Sequence, residues 1–299
     1  MRITNRMVSE NSLADLQRVL GDVLAVQEQL SSGKRVNRPS DDPFATHRAI
    51  SSRGAVMVLE QYARNVSEVK GWVSTTDYAL SNITDALREV RTLAIQAANG
   101  YLTATDRENI ALRVDEFRDT IMQLSKQQYA GRYVFSGTQT GEAPFEWTGT
   151  SAVYNGNSEH IRINIGPGSD LVVNVTGEEA FTGIGATGTD VFTLLYDLAQ
   201  AIRAGDHEAV GGALLGAIDD AMDKVVEKQG VVGSAANRLE RMESLISQLT
   251  EREKSLLSEA EDVDLAEAAM NLNLKESAYQ ASLAACARVI LPSLLDYLG

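Results

Sequence analysis

Three short stretches of this sequence carry residue types at spacings that could do chemistry. Gly183-Ile184-Gly185-Ala186-Thr187-Gly188 fits G-x-G-x-x-G literally and precedes a helical pattern, the arrangement that cradles a pyrophosphate on a helix N-terminus. Such a site also needs a strand before the loop, a second strand after the helix and an acid for the ribose. Here the helix runs through Gly205 into another helix, so a flexible linker is expected and no cofactor. His207-Glu208 begins like the zinc motif H-E-x-x-H, but position 211 is glycine, and His47, His160 and His207 are scattered. A metal centre needs three or four converging ligands, so none is expected. The short carboxylate cluster Glu259-Ala260-Glu261-Asp262-Val263-Asp264 reads as a solvated acidic hinge at a helix junction. No nucleophile–base pair can be traced, so no catalytic residue is assigned and the chain is not expected to be an enzyme.

Composition narrows the partners. The formal charge of −14 and a pI near 4.7 repel a phosphate backbone, so nucleic acid is not expected. The single cysteine, Cys286, excludes an internal disulfide framework and suits a small core position. No apolar run approaches a membrane span, and the N-terminus lacks the pattern of a secretory signal. Alone, these two absences favour the cytoplasm.

What remains is elements that bury one another. Leu13, Leu16, Leu20, Val23, Gln27 and Leu30 step alternately by three and four along a first helix of about Ser9 to Ser31. Leu265, Ala269, Leu272, Tyr279, Leu283, Cys286 and Ile290 do the same near the other end, with one polar miss at Glu276. Two such stripes predict helices packed lengthwise at the joined termini. Ser32-Gly33 ends the first helix, and Asp41-Asp42-Pro43 restarts the chain with a cap and a first-position proline. From Pro43 a long helix carries Val66, Val69, Val73, Thr76, Leu80, Ile83, Leu87, Val90, Ala94 and Ala97 on one seam. Thr105-Asp106-Arg107-Glu108 is expected to box the next helix. Near Gly131 the period falls to two. Tyr133-Val134-Phe135 reads as a strand, Asn155-Gly156 as a hairpin turn, and Gly166-Pro167-Gly168 as the turn between two further strands. Asp190 caps a short helix ending at Gly205. A second long run from about Asp206 carries Ile218, Met222, Val225, Gln229, Val232, Ala236 and Leu239.

The expected fold is mainly α with a small β insertion. A long antiparallel helical rod (41–130 plus 186–264) joins a terminal coiled coil (1–40 plus 265–299) to a small antiparallel β domain (131–185). At about fifty residues the insertion is too small for much stability of its own, so it is expected to lean on the rod.

The run from Leu30 to Pro43, L-S-S-G-K-R-V-N-R-P-S-D-D-P, closely resembles the N-terminal signature of the flagellin superfamily. Ser74–Leu80, Leu93–Gly100, Ala266–Ala268 and Leu294–Leu298 resemble other motifs of that superfamily. Gly131–Thr140, Pro144-Phe145, Tyr154–Gly156, Ile165–Gly168 and Pro292–Asp296 resemble its hook–filament junction branch more than its filament flagellins, which stand as the alternative. The resemblance implies a secreted structural protein of the bacterial flagellum, exported unfolded and uncleaved by the flagellar type III apparatus. It implies self-assembly into a ring, with the first hook-associated protein below and flagellin above, and a cytoplasmic chaperone on the C-terminal helix. Assembly and chaperone contacts would then fall on the terminal stripes: Leu13, Leu16, Leu20, Val23 and Leu30 with Leu265, Leu272, Tyr279, Leu283, Cys286 and Ile290. Leu87–Leu93 resembles the segment of flagellins read by an innate-immune receptor. There Glu89 and Thr92 depart from the usual charges, which should cost affinity.

Overall fold

In the computed structural model the described residues are 5–186 and 188–298, with side chains at positions 7, 10–186 and 188–287. They fall into two compact units, one of residues 1–58 with 249–299 and one of residues 59–248.

Helix α1 (Asn5–Ser32) closes at Gly33, whose φ of 71° is open to glycine without strain. Helix α2 (Pro43–Ala97) begins on its proline, and Asp42 accepts the Ala45 N–H at 3.0 Å. The box that opens α3 (Ala104–Ser125) is Thr103 with Asp106, two residues earlier than Thr105 with Glu108. Thr103 is already extended, and Asp106 reaches back to its N–H at 3.2 Å, so the helix starts before Thr105.

Within residues 59–248 the expected seam of α2 is buried at every position from Val66 to Ala97. Its counterpart on α7 (Leu215–Glu261) is Ile218, Val225, Val232, Leu239 and Ile246, spaced by sevens. Lys70 pairs with Glu243 at 2.8 Å and Arg91 with Asp219 at 2.6 Å. These pairs fix an antiparallel register that sets Leu80 and Leu87 beside the Val225–Val232 stretch. A strict seven-residue repeat keeps the seam in contact only if the helices wind left-handedly about each other.

The helical run expected from Asp206 is interrupted. A short α6 (His207–Ala209) leads into a π turn, Val210–Leu214, before α7. Val210 is buried but stands eight positions before Ile218, not seven. In a continuous α-helix it would rotate off the seam by about 100°. The π turn absorbs the extra residue.

The β segment forms three two-stranded antiparallel hairpins. Strands β1 (Gln128–Tyr129) and β2 (Arg132–Tyr133) flank Ala130-Gly131, both at positive φ (50° and 78°), as the tight hairpin turn requires. The strand expected at Tyr133–Phe135 thus ends at Tyr133, and Val134 and Phe135 are buried beyond it. Strands β3 (Phe145–Trp147) and β4 (Ala152–Tyr154) turn at Thr148–Ser151, not at Asn155-Gly156. Gly156 serves close packing instead: a Cβ there would sit 2.5 Å from the Tyr154 ring and 2.9 Å from Ser136 Cα. Strands β5 (Arg162–Gly166) and β6 (Ser169–Val172) turn at Pro167-Gly168 as expected.

The insertion is not a free-standing core. Phe135, Phe145 and Phe181 of α4 (Gly177–Phe181) pack with Phe192 of α5 (Val191–Ala204), at centroid separations of 4.9–6.2 Å. The hairpins also tie to the long helices. Asn65 donates to the Asn164 carbonyl at 2.8 Å, Arg132 pairs with Glu68 at 3.0 Å, and Arg238 donates to Ser169 Oγ at 2.9 Å.

Candidate assembly surface

Helix α8 (Leu265–Leu298) packs antiparallel along α1. Two contacts set the register. Lys275 Nζ lies 2.7 Å from Asp22 Oδ2, and the Cys286 thiol donates to the Ser12 carbonyl at 3.6 Å. The half-buried positions are Ser12, Leu16, Val19, Val23, Val26, Gln29 and Leu30 on α1. On α8 they are Leu272, Lys275, Tyr279, Ser282 and Cys286, with Ala268 fully buried.

This seam corrects part of the expected one. Leu16, Val23, Leu30, Leu272, Tyr279 and Cys286 lie on it. Leu13, Leu20, Leu265 and Leu283 do not, being 56%, 39%, 58% and 43% exposed. The Ile290 side chain lies outside the described residues. Both helices carry two overlapping apolar stripes, and alternation by three and four fits either. The partner decides: the Asp22–Lys275 and Ser12–Cys286 contacts turn the Val19/Val26 side inward. Leu24 (55%), Met270 (63%) and Leu274 (68%) extend the outward stripe. The outward faces are therefore apolar as well, while the seam includes the polar Ser12, Ser282 and Lys275. A helix that is apolar on two sides needs more than one partner to cover it.

At the end of the pair, the Leu30–Pro43 signature closes a clip on the end of α7. The Arg35 N–H donates to the Glu261 carbonyl at 2.7 Å, and the Val263 N–H to the Gly33 carbonyl at 3.1 Å. The Arg35 guanidinium adds a bond to the Ala260 carbonyl at 3.1 Å. The loop is held from within, because Asp41 accepts the N–H groups of Asn37 (3.2 Å) and Arg38 (2.8 Å). Glu261 is buried and paired with both Lys34 and Arg53. Burial pushes its carboxyl pKa up, but hydrogen bonds and charge from Lys34 and Arg53 outweigh that and hold it below the usual glutamate value. Glu261 thus departs from the solvated hinge expected of the Glu259–Asp264 cluster, whose Glu259, Asp262 and Asp264 stay exposed at the α7–α8 junction. Nothing in the acid-rich run Glu259–Asp264 marks Glu261 for burial; the cations that match it lie far away, Lys34 in the signature loop and Arg53 on α2. Beside the clip lies a cleft of about 410 Å³, whose lining includes Lys34, Arg38 and Arg53, the acid Glu261, and Val36, Pro39 and Ile50.

The other sequence candidates have structural roles. Ile184 and Thr189 exchange backbone hydrogen bonds at 2.9 and 3.1 Å, and Ile184 is buried. Residues 183–186 and Gly188 are thus held by this bridge, not free as the flexible linker expected, and Thr187 lies outside the described residues. Gly185 lies against Ala217 of α7, where a Cβ would come within 3.2 Å. His207 Nδ1 lies 3.0 Å from the Ala97 carbonyl, where it caps the end of α2.

Comparison with known proteins agrees with this architecture. Flagellar hook-associated protein 3 of Escherichia coli (strain K12) is 27% identical over 304 residues, covering 94% of this chain and 95% of that protein. Flagellin of Bacillus subtilis (strain 168) is 27% identical over 295 residues, covering 95% of each. Among solved structures, a flagellar hook-associated protein from Vibrio parahaemolyticus superposes with a TM-score of 0.69 at 26% identity, over 74% of this chain and all of that one. The bacterial flagellin N-terminal helical region matches residues 3–140 and the C-terminal helical region residues 215–298. With most of its length in these two regions, the chain belongs to the bacterial flagellin family.

Proposed function

We propose that this chain is the junction subunit of a bacterial flagellum, assembling with copies of itself into a ring that joins the hook, through the first hook-associated protein, to the flagellin filament. Its role in this reading is structural, with no catalytic step. The observation that supports assembly is the two-faced terminal pair: Leu13, Leu20, Leu24, Met270 and Leu274 stay exposed on helices whose own seam is small and partly polar. Neighbouring copies would cover that stripe, so ordering of the pair and polymerisation become one event. The same stripe on α8 is the surface an export chaperone would shield before passage through the type III apparatus. Similarity to hook-associated protein 3 over nearly the whole chain, together with the superposition on a hook-associated protein structure at a TM-score of 0.69, supports the junction reading; the equally long match to filament flagellin supports the filament as the second.

Deleting the protein tests the role. Complete hooks without filaments, and flagellin lost to the medium, are the expected outcome. Long filaments formed without it would contradict the junction reading. Tagged subunits spread along the filament would favour the filament reading instead.

A further inference from the structure

The sequence contains two Asn-Gly pairs, and the fold treats them oppositely. Asn99-Gly100 lies beyond the last residue of α2, exposed, next to a fully exposed Tyr101. The Asn99 side-chain amide makes one long hydrogen bond, to the Ile95 carbonyl at 3.4 Å, and its backbone N–H donates to the Gln96 carbonyl at 3.2 Å. Space around Gly100 is open: a Cβ there would meet nothing closer than the His207 ring at 3.8 Å. Asn155-Gly156 is half-buried and clamped on both sides. The Asn155 N–H donates to the Pro144 carbonyl at 2.8 Å, and the Asn157 N–H to the Ser136 carbonyl at 3.3 Å. Tyr154 donates its hydroxyl to the Asn157 carbonyl at 3.0 Å, while Gly156 is wedged against the Tyr154 ring.

We infer that Asn99 is a site of spontaneous covalent modification by deamidation, and that Asn155 is protected from it. The backbone nitrogen of Gly100 attacks the side-chain carbonyl carbon of Asn99. A C–N bond forms, the Cγ–Nδ2 bond breaks, and ammonia leaves with the proton from the Gly100 nitrogen. Water then opens the succinimide to aspartate or isoaspartate. The attack needs the peptide to rotate until its nitrogen reaches Cγ, and glycine, without a Cβ, offers the least resistance. Residues 99 and 100 can rotate because they sit at an exposed tip beyond the helix. At Asn155 the same rotation would first break the flanking hydrogen bonds and lift Gly156 off Tyr154, so the reaction there waits for local opening. The product places a negative charge at the C-terminal end of α2, where the helix dipole disfavours it.

The test incubates the full-length protein in warm, mildly alkaline buffer and follows both peptides by mass spectrometry. Asn99 should gain about one dalton at least roughly tenfold faster than Asn155. In urea the two rates should converge, since only the fold separates them. Gly100→Ala should slow the reaction at position 99 without loss of folding, because the open space accommodates the methyl group and the backbone there is not left-handed. Equal native rates at the two sites, rates that stay apart in urea, or an Asn99 rate unchanged by Gly100→Ala would overturn the inference.

Discussion

Two helix pairs built on the same repeat behave differently in this chain. Between α2 and α7, within residues 59–248, the seam from Val66 to Ala97 is buried throughout, and it meets an α7 stripe buried at each heptad step from Ile218 to Ile246. Between α1 and α8 the seam is only half-buried, and Leu13, Leu20, Leu24, Leu265, Leu274 and Leu283 stay exposed beside it. The difference is in how many faces are apolar. Helix α2 has further support from Trp72, Ala79, Ala86 and Leu93, a second stripe that is also buried. Helices α1 and α8 have a second stripe too, but among the described residues it stays exposed. Heptad spacing marks where a helix can pack; whether the chain alone can complete that packing depends on the other faces.

The sharpest way to break the comparison is to truncate each kind of leucine. Leu80→Ala or Leu87→Ala leaves a cavity at a fully buried site and should destabilise residues 59–248 by about 2–5 kcal/mol. Leu13→Ser with Leu20→Ser should change the thermal melt of the dilute protein little, since both side chains are already exposed. The same double variant should abolish polymerisation, read by sedimentation. A melt insensitive to Leu80→Ala, or polymers formed normally by the Leu13/Leu20 variant, would remove the distinction.

The clip gives a second, smaller effect. Glu261 titrates below its unfolded value in the folded chain. The stability it contributes is therefore complete above the usual glutamate range and is lost as pH falls through the depressed folded value. Protection of the Arg35 and Val263 amides should fall away in that acid window, while the α2–α7 seam holds. Replacing Lys34 and Arg53 by Met leaves Glu261 buried without cations, so burial alone raises its folded pKa and the acid loss should vanish or reverse, with stability falling as pH rises. An acid transition that both variants leave unmoved would exclude Glu261 as its cause.

The smallest effect is at the β1–β2 turn. Ala130 is the one described non-glycine residue at positive φ, which costs an L-residue about 1–2 kcal/mol. Ala130→Gly or Ala130→Asn should raise stability by up to about 1 kcal/mol, seen as a small rise in Tm.

Much of this was legible from residue spacing. The α2 seam, the caps at Asp42 and Asp190 and the left-handed ends at Gly33 and Gly205 follow from local rules, because each is decided by residues a few positions apart. What failed was decided at a distance. Nothing local distinguishes the Leu13/Leu20 stripe from the Val19/Val26 stripe, since the choice belongs to Lys275 and Cys286 on the other helix. The burial of Glu261 depends on Lys34 and Arg53, far away in sequence. Asn155-Gly156 has the composition of a turn, yet the glycine is needed to let Tyr154 close over the backbone. The eight-residue step from Val210 to Ile218 was countable in advance, but it becomes a π turn only once Val210 is known to be buried.

Amide hydrogen exchange on the dilute, unassembled protein tests the central claim most directly. If the terminal pair is completed only by neighbouring copies, amides along Leu13–Leu30 and Leu272–Cys286 should exchange fast while those of Val66–Ala97 and Ile218–Ile246 stay protected. Protection of the terminal segments should then rise on polymerisation. Strong protection of Leu13–Leu30 and Leu272–Cys286 in the dilute monomer, equal to that of the α2–α7 seam, would contradict it.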